Sequence, residues 1–111
     1  MLEHFPDIEA LYAFGSIARG DATADSDLDL AVLMNAPIEP LARLVAQREL
    51  SSRLGRDVDL VDLQTAGSVL RSEVVNSGVA LFQRDPMRSL EFEARVLGDY
   101  AELVDATRAL R

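Results

Sequence analysis

Gly15-Ser16-Ile17-Ala18-Arg19-Gly20, then Asp21-Ala22-Thr23-Ala24-Asp25-Ser26, then Asp27-Leu28-Asp29: the reading of the fold turns on this stretch. Leu28 to Met34 has the pattern of a strand, with Leu28, Leu30 and Val32 alternating with Asp29, Ala31 and Leu33. Aspartate is poor strand material, and a period of two puts Asp27 and Asp29 on the same face. Two like charges held so close are costly, and a cation resolves the repulsion. A pair of hard carboxylates suits Mg²⁺, which keeps several waters and binds substrate phosphates through its remaining positions. Two-metal phosphoryl chemistry rests on this logic.

Upstream, the apolar run Leu11 to Phe14 is stopped by Gly15 and reads as a buried strand. Gly15 and Ser16 then lie where that strand gives way to a helix, a place where free backbone N–H groups and the helix dipole favour an anion. Glycine lets the backbone approach closely and the serine hydroxyl adds a donor. Taken alone, Gly-Ser is an ordinary strand-to-helix turn with a serine cap. Its coupling to Asp27 and Asp29 is what points to phosphate.

A third carboxylate is expected on a neighbouring strand, and Arg56-Asp57-Val58-Asp59-Leu60-Val61-Asp62 offers one. Asp59 is the choice. Asp57 sits at the strand entry, where aspartate serves as a turn residue, and Asp62 falls on the Leu60 face as a strand exit or a cap for the next segment. Of two rival readings of the acidic stretch, the first fails and the second fits poorly. An EF-hand loop starting at Asp25 needs glycine at its sixth position and glutamate at its twelfth, where Leu30 and Ala36 stand. A phosphatase with an aspartyl nucleophile carries Asp-x-Asp after its apolar strand, whereas here the pair precedes one.

The remaining elements alternate. Pro40 to Leu54 is a helix by the spacing of Leu41, Leu44, Val45 and Leu54, with Gly55 as its stop. Val58 to Leu63 is a third strand, Ser68 to Asn76 a short helix closed near Gly78, and Val79 to Phe82 a fourth strand. Asp85 as N-cap and Pro86 at the first helical position start a long last helix, about 86–111. Leu90, Ala94, Leu97, Ala101 and Val104 form one stripe on it, and Phe92, Val96, Tyr100, Leu103 and Leu110 a second. One small sheet hardly covers both, which predicts that part of this helix meets another chain. The predicted fold class is α+β (α/β): a small mixed sheet flanked by helices, with a long C-terminal helix.

With 111 residues, 49% of them apolar, the chain predicts a single domain over residues 1–111 with one small core. It has no cysteine, hence no disulfide framework, thiolate metal site or thiol nucleophile, and a reducing, cytoplasmic setting is expected. No signal-peptide pattern and no apolar run near the roughly 20 residues of a membrane span is present. The formal charge of −8 argues against general binding to a nucleic-acid backbone, which needs many cations, and favours a protein or small acceptor. There is no lysine, so every fixed cationic side chain is an arginine. A Walker A loop, which needs lysine, is therefore excluded, and any triphosphate must be held by backbone amides, arginine and metal. His4 is expected at the surface, and Tyr12 and Tyr100 in core or interface.

Gly-Ser, ten residues, then Asp-x-Asp entering an apolar strand resembles the signature of the DNA polymerase β-like nucleotidyltransferases. The fragment Gly15-Ser16-Ile17-Ala18-Arg19-Gly20, the later Val58-Asp59-Leu60-Val61-Asp62-Leu63 and the short chain resemble the minimal nucleotidyltransferases, over roughly residues 10–85. The resemblance implies the nucleotidyltransferase, polymerase β palm-like fold. It implies that Asp27, Asp29 and Asp59 hold Mg²⁺, that Asp59 also helps prepare the acceptor hydroxyl, and that Gly15 and Ser16 grip the triphosphate, with Arg19 and Ser26 as further phosphate contacts. ATP as the nucleotide rests on the resemblance alone. Many such minimal proteins are similar to the antitoxin half of HEPN–MNT toxin–antitoxin pairs. That likeness implies AMP transfer to a tyrosine hydroxyl of a partner HEPN ribonuclease toxin, within a hetero-oligomer. The alternatives are an idle antitoxin that neutralises by docking alone, and an enzyme acting on a small-molecule acceptor.

Overall fold

A computed structural model of the chain describes residues 3–23 and 26–110. Asp25 of the acidic turn and Arg111 at the end of the expected last helix lie outside the described residues. In chain order the elements are β1 Ala10–Phe14, α1 Ser16–Arg19, β2 Leu28–Leu33, α2 Pro40–Leu54, β3 Val58–Asp62, α3 Ser68–Ser77, β4 Val79–Gln83 and α4 Pro86–Ala109. They form one mixed sheet in the order β3-β2-β1-β4. β1 pairs antiparallel with both β2 and β4, and β2 pairs parallel with β3. The one parallel pair is joined through α2, the kind of crossover that parallel strands require.

Strand alternation divides the core into two layers. Tyr12, Phe14, Ala31, Leu33 and Leu63 face α3 and α4, where Val74, Phe92 and Val96 meet them. Ala13, Leu30, Val32, Val58 and Leu60 face the opposite way, onto Ala46 of α2 and onto Phe5 and Ile8. Those two buried residues tie the N-terminal segment to the sheet. They bring His4 along, so it is not the surface residue expected: it is half-buried, with Nε2 3.1 Å from Oε2 of Glu49.

α2 has the bounds that Pro40 and Gly55 predict, yet the apolar residues whose spacing marks it do not pack on the sheet. Leu41, Leu44, Val45 and Leu54 are exposed, and Ala46 is the buried residue. The reason lies in the sheet order. β3 is an edge strand, and its outward backbone groups need partners. Gln47 Oε1 accepts from Leu60 N (2.9 Å), Ser51 Oγ accepts from Val58 N (2.9 Å), and Arg43 donates to Leu60 O (3.0 Å). The helix therefore turns its polar stripe inward, where the small Ala46 permits close approach.

Arginines act as carbonyl staples elsewhere as well. Arg71 donates to Leu63 O and Gln64 O, both at 2.8 Å, and Arg84 to Ile8 O (2.9 Å) and Pro6 O (2.6 Å). Asp62 is buried and accepts from Ile38 N (2.8 Å) and Gln64 N (2.9 Å), the capping role expected of it.

Asp85 caps α4 by accepting from Met87 N at 3.0 Å, with Pro86 in the first turn. Only one of the two stripes is buried, through Phe92 and Val96, while Leu90 and Leu97 of the other remain exposed. Past Val96 the helix leaves the core. Leu103 and Leu110 are exposed, and Tyr100, Leu103 and Val104 line an open hollow with Val69 of α3. No helix among the described residues is long and apolar enough to cross a membrane.

Candidate active site

The site lies on the layer facing α3 and α4, at the end of the sheet where β1 exits and β2 and β3 begin. Register fixes its centre. Asp29 pairs with Phe14 across the antiparallel ladder and with Asp59 across the parallel one, so the two carboxylates stand side by side on one face. Asp27 precedes β2 and is exposed, as is Asp59, whereas Asp29 is half-buried.

Gly15 closes one side. Its φ is +70°, in the region that favours glycine, and an added Cβ would sit 2.2 Å from Asp29 Oδ2. The carboxylate of Asp29 thus rests directly over the Gly15 backbone. α1 comes next, with Gly15 as an N-cap that brings no side-chain acceptor, so its first N–H groups have no side-chain cap. Gly20 ends α1 in the left-handed conformation and the chain turns toward β2.

The electrostatics are those of crowded anions. Asp29 is held above the usual carboxylate range, first by burial and then by the charges of Asp59, Asp27 and Glu73, with Arg19 opposing them. Glu73, on α3, has no signal in the sequence, because it occupies an ordinary exposed position of a short helix. Arg19 is exposed, with Nε 3.4 Å from Asp21 Oδ2.

The Ser26 hydroxyl accepts from Thr23 N at 2.9 Å and lies 3.2 Å from the Thr23 hydroxyl, so it closes its own loop. Arg56, just before β3, donates through Nε to Ser26 O at 3.0 Å and through Nη2 to Ser26 O and Thr23 O. Sequence reading missed this contact because the partners lie 30 residues apart.

The structure therefore brings Gly15, Asp29 and Asp59 together, with Asp27, Ser16 and Arg19 around them. Among the described residues no three His, Asp or Glu side chains form a set that could by itself hold a metal ion. Hard oxygen donors in which burial, and then mutual repulsion, raises a carboxyl fit a hard cation that takes one or two carboxylates and completes its shell with water and phosphate.

The family described as Polymerase beta, Nucleotidyltransferase matches residues 1–87. This chain belongs to the polymerase beta nucleotidyltransferase family. The nucleotidyltransferase chain is 39% identical over 80 residues to the protein adenylyltransferase MntA of Shewanella oneidensis, which covers 72% of this chain and 58% of MntA. It thus spans less than two thirds of MntA's length. A chain of a toxin–antitoxin crystal structure with AMP-PNP matches it with a TM-score of 0.88 at 33% identity, over 97% of this chain and 86% of that one. A chain of the complex between tri-AMPylated Shewanella oneidensis HEPN toxin and MNT antitoxin matches with a TM-score of 0.85 at 30% identity, over 99% and 85%. These matches extend beyond the catalytic motif and include most of α4.

Proposed function

We propose that this chain is a Mg²⁺-dependent protein adenylyltransferase that moves AMP from ATP to a tyrosine hydroxyl of a partner HEPN toxin and thereby acts as its antitoxin. The observation that carries the reading is the pairing of Asp29 with Asp59 on one face beside Gly15. Support comes from the likeness to MntA, and to complexes containing AMP-PNP in one case and an AMPylated toxin in the other.

Asp27, Asp29 and Asp59 would share the holding of Mg²⁺ with water and the oxygens of the bound triphosphate, and the ion when bound supplies charge neutralisation at the α-phosphorus and at the leaving pyrophosphate. The N–H groups from Gly15 onward and the Ser16 hydroxyl orient the triphosphate, and Arg19 adds a cation at its rim. Asp59, exposed at the outer strand, would accept the proton of the incoming hydroxyl. The oxygen attacks the α-phosphorus in line, the α–β bridging bond breaks, and pyrophosphate leaves. These residues act by positioning and by charge.

The test is to co-express the chain with its genomic neighbour, purify the neighbour and weigh it intact. An AMP-sized increment with wild type and none with Asp27→Asn/Asp29→Asn is the expected result. The exposed outer part of α4 favours a second reading, neutralisation by docking alone. A stable complex without added mass in either case would establish that reading instead.

A further inference from the structure

Asp27 precedes the first ladder residue of β2 and is exposed, so the sheet does not fix it as it fixes Asp29. The chain just before it is nevertheless held from a distance. Arg56 grips the Ser26 carbonyl with two of its N–H groups and the Thr23 carbonyl with Nη2 at 3.3 Å. Thr23 and Ser26 are also bonded to each other, Ser26 N donating to Thr23 O at 3.1 Å and Thr23 N to Ser26 Oγ at 2.9 Å. One residue past Arg56, Asp57 O accepts from Leu28 N at 2.8 Å. Asp27 is thereby bracketed on both sides by bonds to the two residues that lead into β3, the strand carrying Asp59.

We infer that Arg56 is a positioning residue that sets Asp27 relative to Asp59 for metal binding by clamping Thr23 and Ser26 to the start of β3. The inference rests on the proposed nucleotidyl-transfer site. Mg²⁺ and Mn²⁺ bind with little tolerance in ligand placement, so a ligand on an untied loop weakens the site even when every carboxylate is present. A guanidinium suits the role because its rigid fork reaches two carbonyls at once, whereas an ammonium acts as a point donor. Groups that orient metal ligands from behind typically change metal affinity by about 10–100-fold when removed.

The experiment measures Mn²⁺ binding by electron paramagnetic resonance in the presence of AMP-PNP for the full chain as wild type, Arg56→Lys and Arg56→Met, each checked for folding by circular dichroism well below its melting temperature. Arg56→Met is expected to weaken Mn²⁺ by about 10–100-fold, and Arg56→Lys by less. In transfer assays the metal needed for half-maximal rate rises in step, while the rate at saturating metal and the KM for ATP move by no more than about threefold. Equal Mn²⁺ affinity in wild type and Arg56→Met overturns the inference. So does a lowered melting temperature with unchanged affinity of the folded protein, which is all that a purely structural role would give. If wild type binds Mn²⁺ with AMP-PNP but transfers nothing to the partner, the proposed function fails while the clamp stands or falls on the affinities. If wild type binds no Mn²⁺, both fail.

Discussion

Gly15 and Asp29 touch in a way that admits no side chain at the glycine: a Cβ on residue 15 would lie 2.2 Å from Asp29 Oδ2. Gly15→Ala therefore has two effects, backbone strain of about 1–3 kcal/mol, because φ +70° with ψ −143° lies in a region essentially confined to glycine, and displacement of a carboxylate that cannot move without leaving its site. Transfer should fall about 100-fold or more, the usual consequence of misplacing a reacting group by an ångström. Gly20→Ala is the control. It too has positive φ, but a Cβ there meets nothing within 4 Å, so it should lose about 1–2 kcal/mol of stability and keep its transfer rate. Equal loss of transfer in the two variants would remove the contact with Asp29 from the account.

The raised carboxyl of Asp29 gives a signed pH effect. With its folded value above the unfolded one, the native state binds the extra proton, so stability falls as pH rises from the ordinary carboxylate range through the folded value. In metal-free buffer Asp29→Asn should therefore melt higher than wild type at neutral pH, and the difference should shrink on acidification. The same variant should be about 100-fold slower or more in transfer. A wild-type melting temperature equal to that of Asp29→Asn across this range would contradict the raised carboxyl, whether burial or the neighbouring charges are its source.

Tyr12 donates to Glu93 Oε1 at 3.2 Å from within the core, and burial, reinforced by the Glu93 charge, pushes its hydroxyl up to about 12. The fold gains from a neutral Tyr12 fully below the unfolded value near 10 and loses that contribution as pH rises toward about 12. An ultraviolet titration should show one phenol that ionises only near pH 12 or together with unfolding, and Tyr12→Phe should remove that transition. Its stability cost should be about 1 kcal/mol.

The inward polar stripe of α2 predicts an inverted pattern of tolerance. Gln47→Leu, which looks like an added core residue, leaves Leu60 N without its acceptor and should cost about 1–3 kcal/mol. Leu41→Gln, which looks like a core lesion, should stay within about 0.5 kcal/mol because Leu41 is exposed. Chemical denaturation of the two variants settles the orientation, and the opposite order would reverse the helix.

Truncation after Arg88 removes Phe92 and Val96 and should unfold the chain, since both are buried. Ending it after Asp99 keeps both and removes the outer part of α4. That form should melt within a few degrees of wild type and lose affinity for the partner. Undiminished affinity in a folded truncation would free this helix from the interface.

Element bounds were legible wherever a local residue forces them. Pro40, Gly55, Asp85 and Pro86 mark helix ends by backbone chemistry alone, and the alternation through Leu28 to Leu33 marks a strand. The pairing of Asp29 with Asp59 was legible too, because two strands that each put an aspartate among apolar residues advertise a shared face. Neighbours brought together by the fold were not. The spacing of its apolar residues marked α2 as a helix, but which side of it packs was not legible, because the decisive fact, that β3 is an edge whose backbone wants partners, belongs to sheet order. His4 turned inward because Phe5 and Ile8 are anchored. Arg56 and Glu73 reach the site across the fold, and nothing in their immediate neighbours distinguishes them from other surface charges.

The carbonyl staples made by Arg43, Arg56, Arg71 and Arg84 have a bearing on how this chain tolerates change. In a molecule without lysine, charge and valency travel together. Exchanging every arginine for lysine would preserve the isoelectric balance almost unchanged while replacing forked heads by single-point ones at each seam where a loop meets the sheet. Such a protein would carry the same sum of charges and be poorly stitched, because here arginine's number of simultaneous grips, more than its sign, joins the parts.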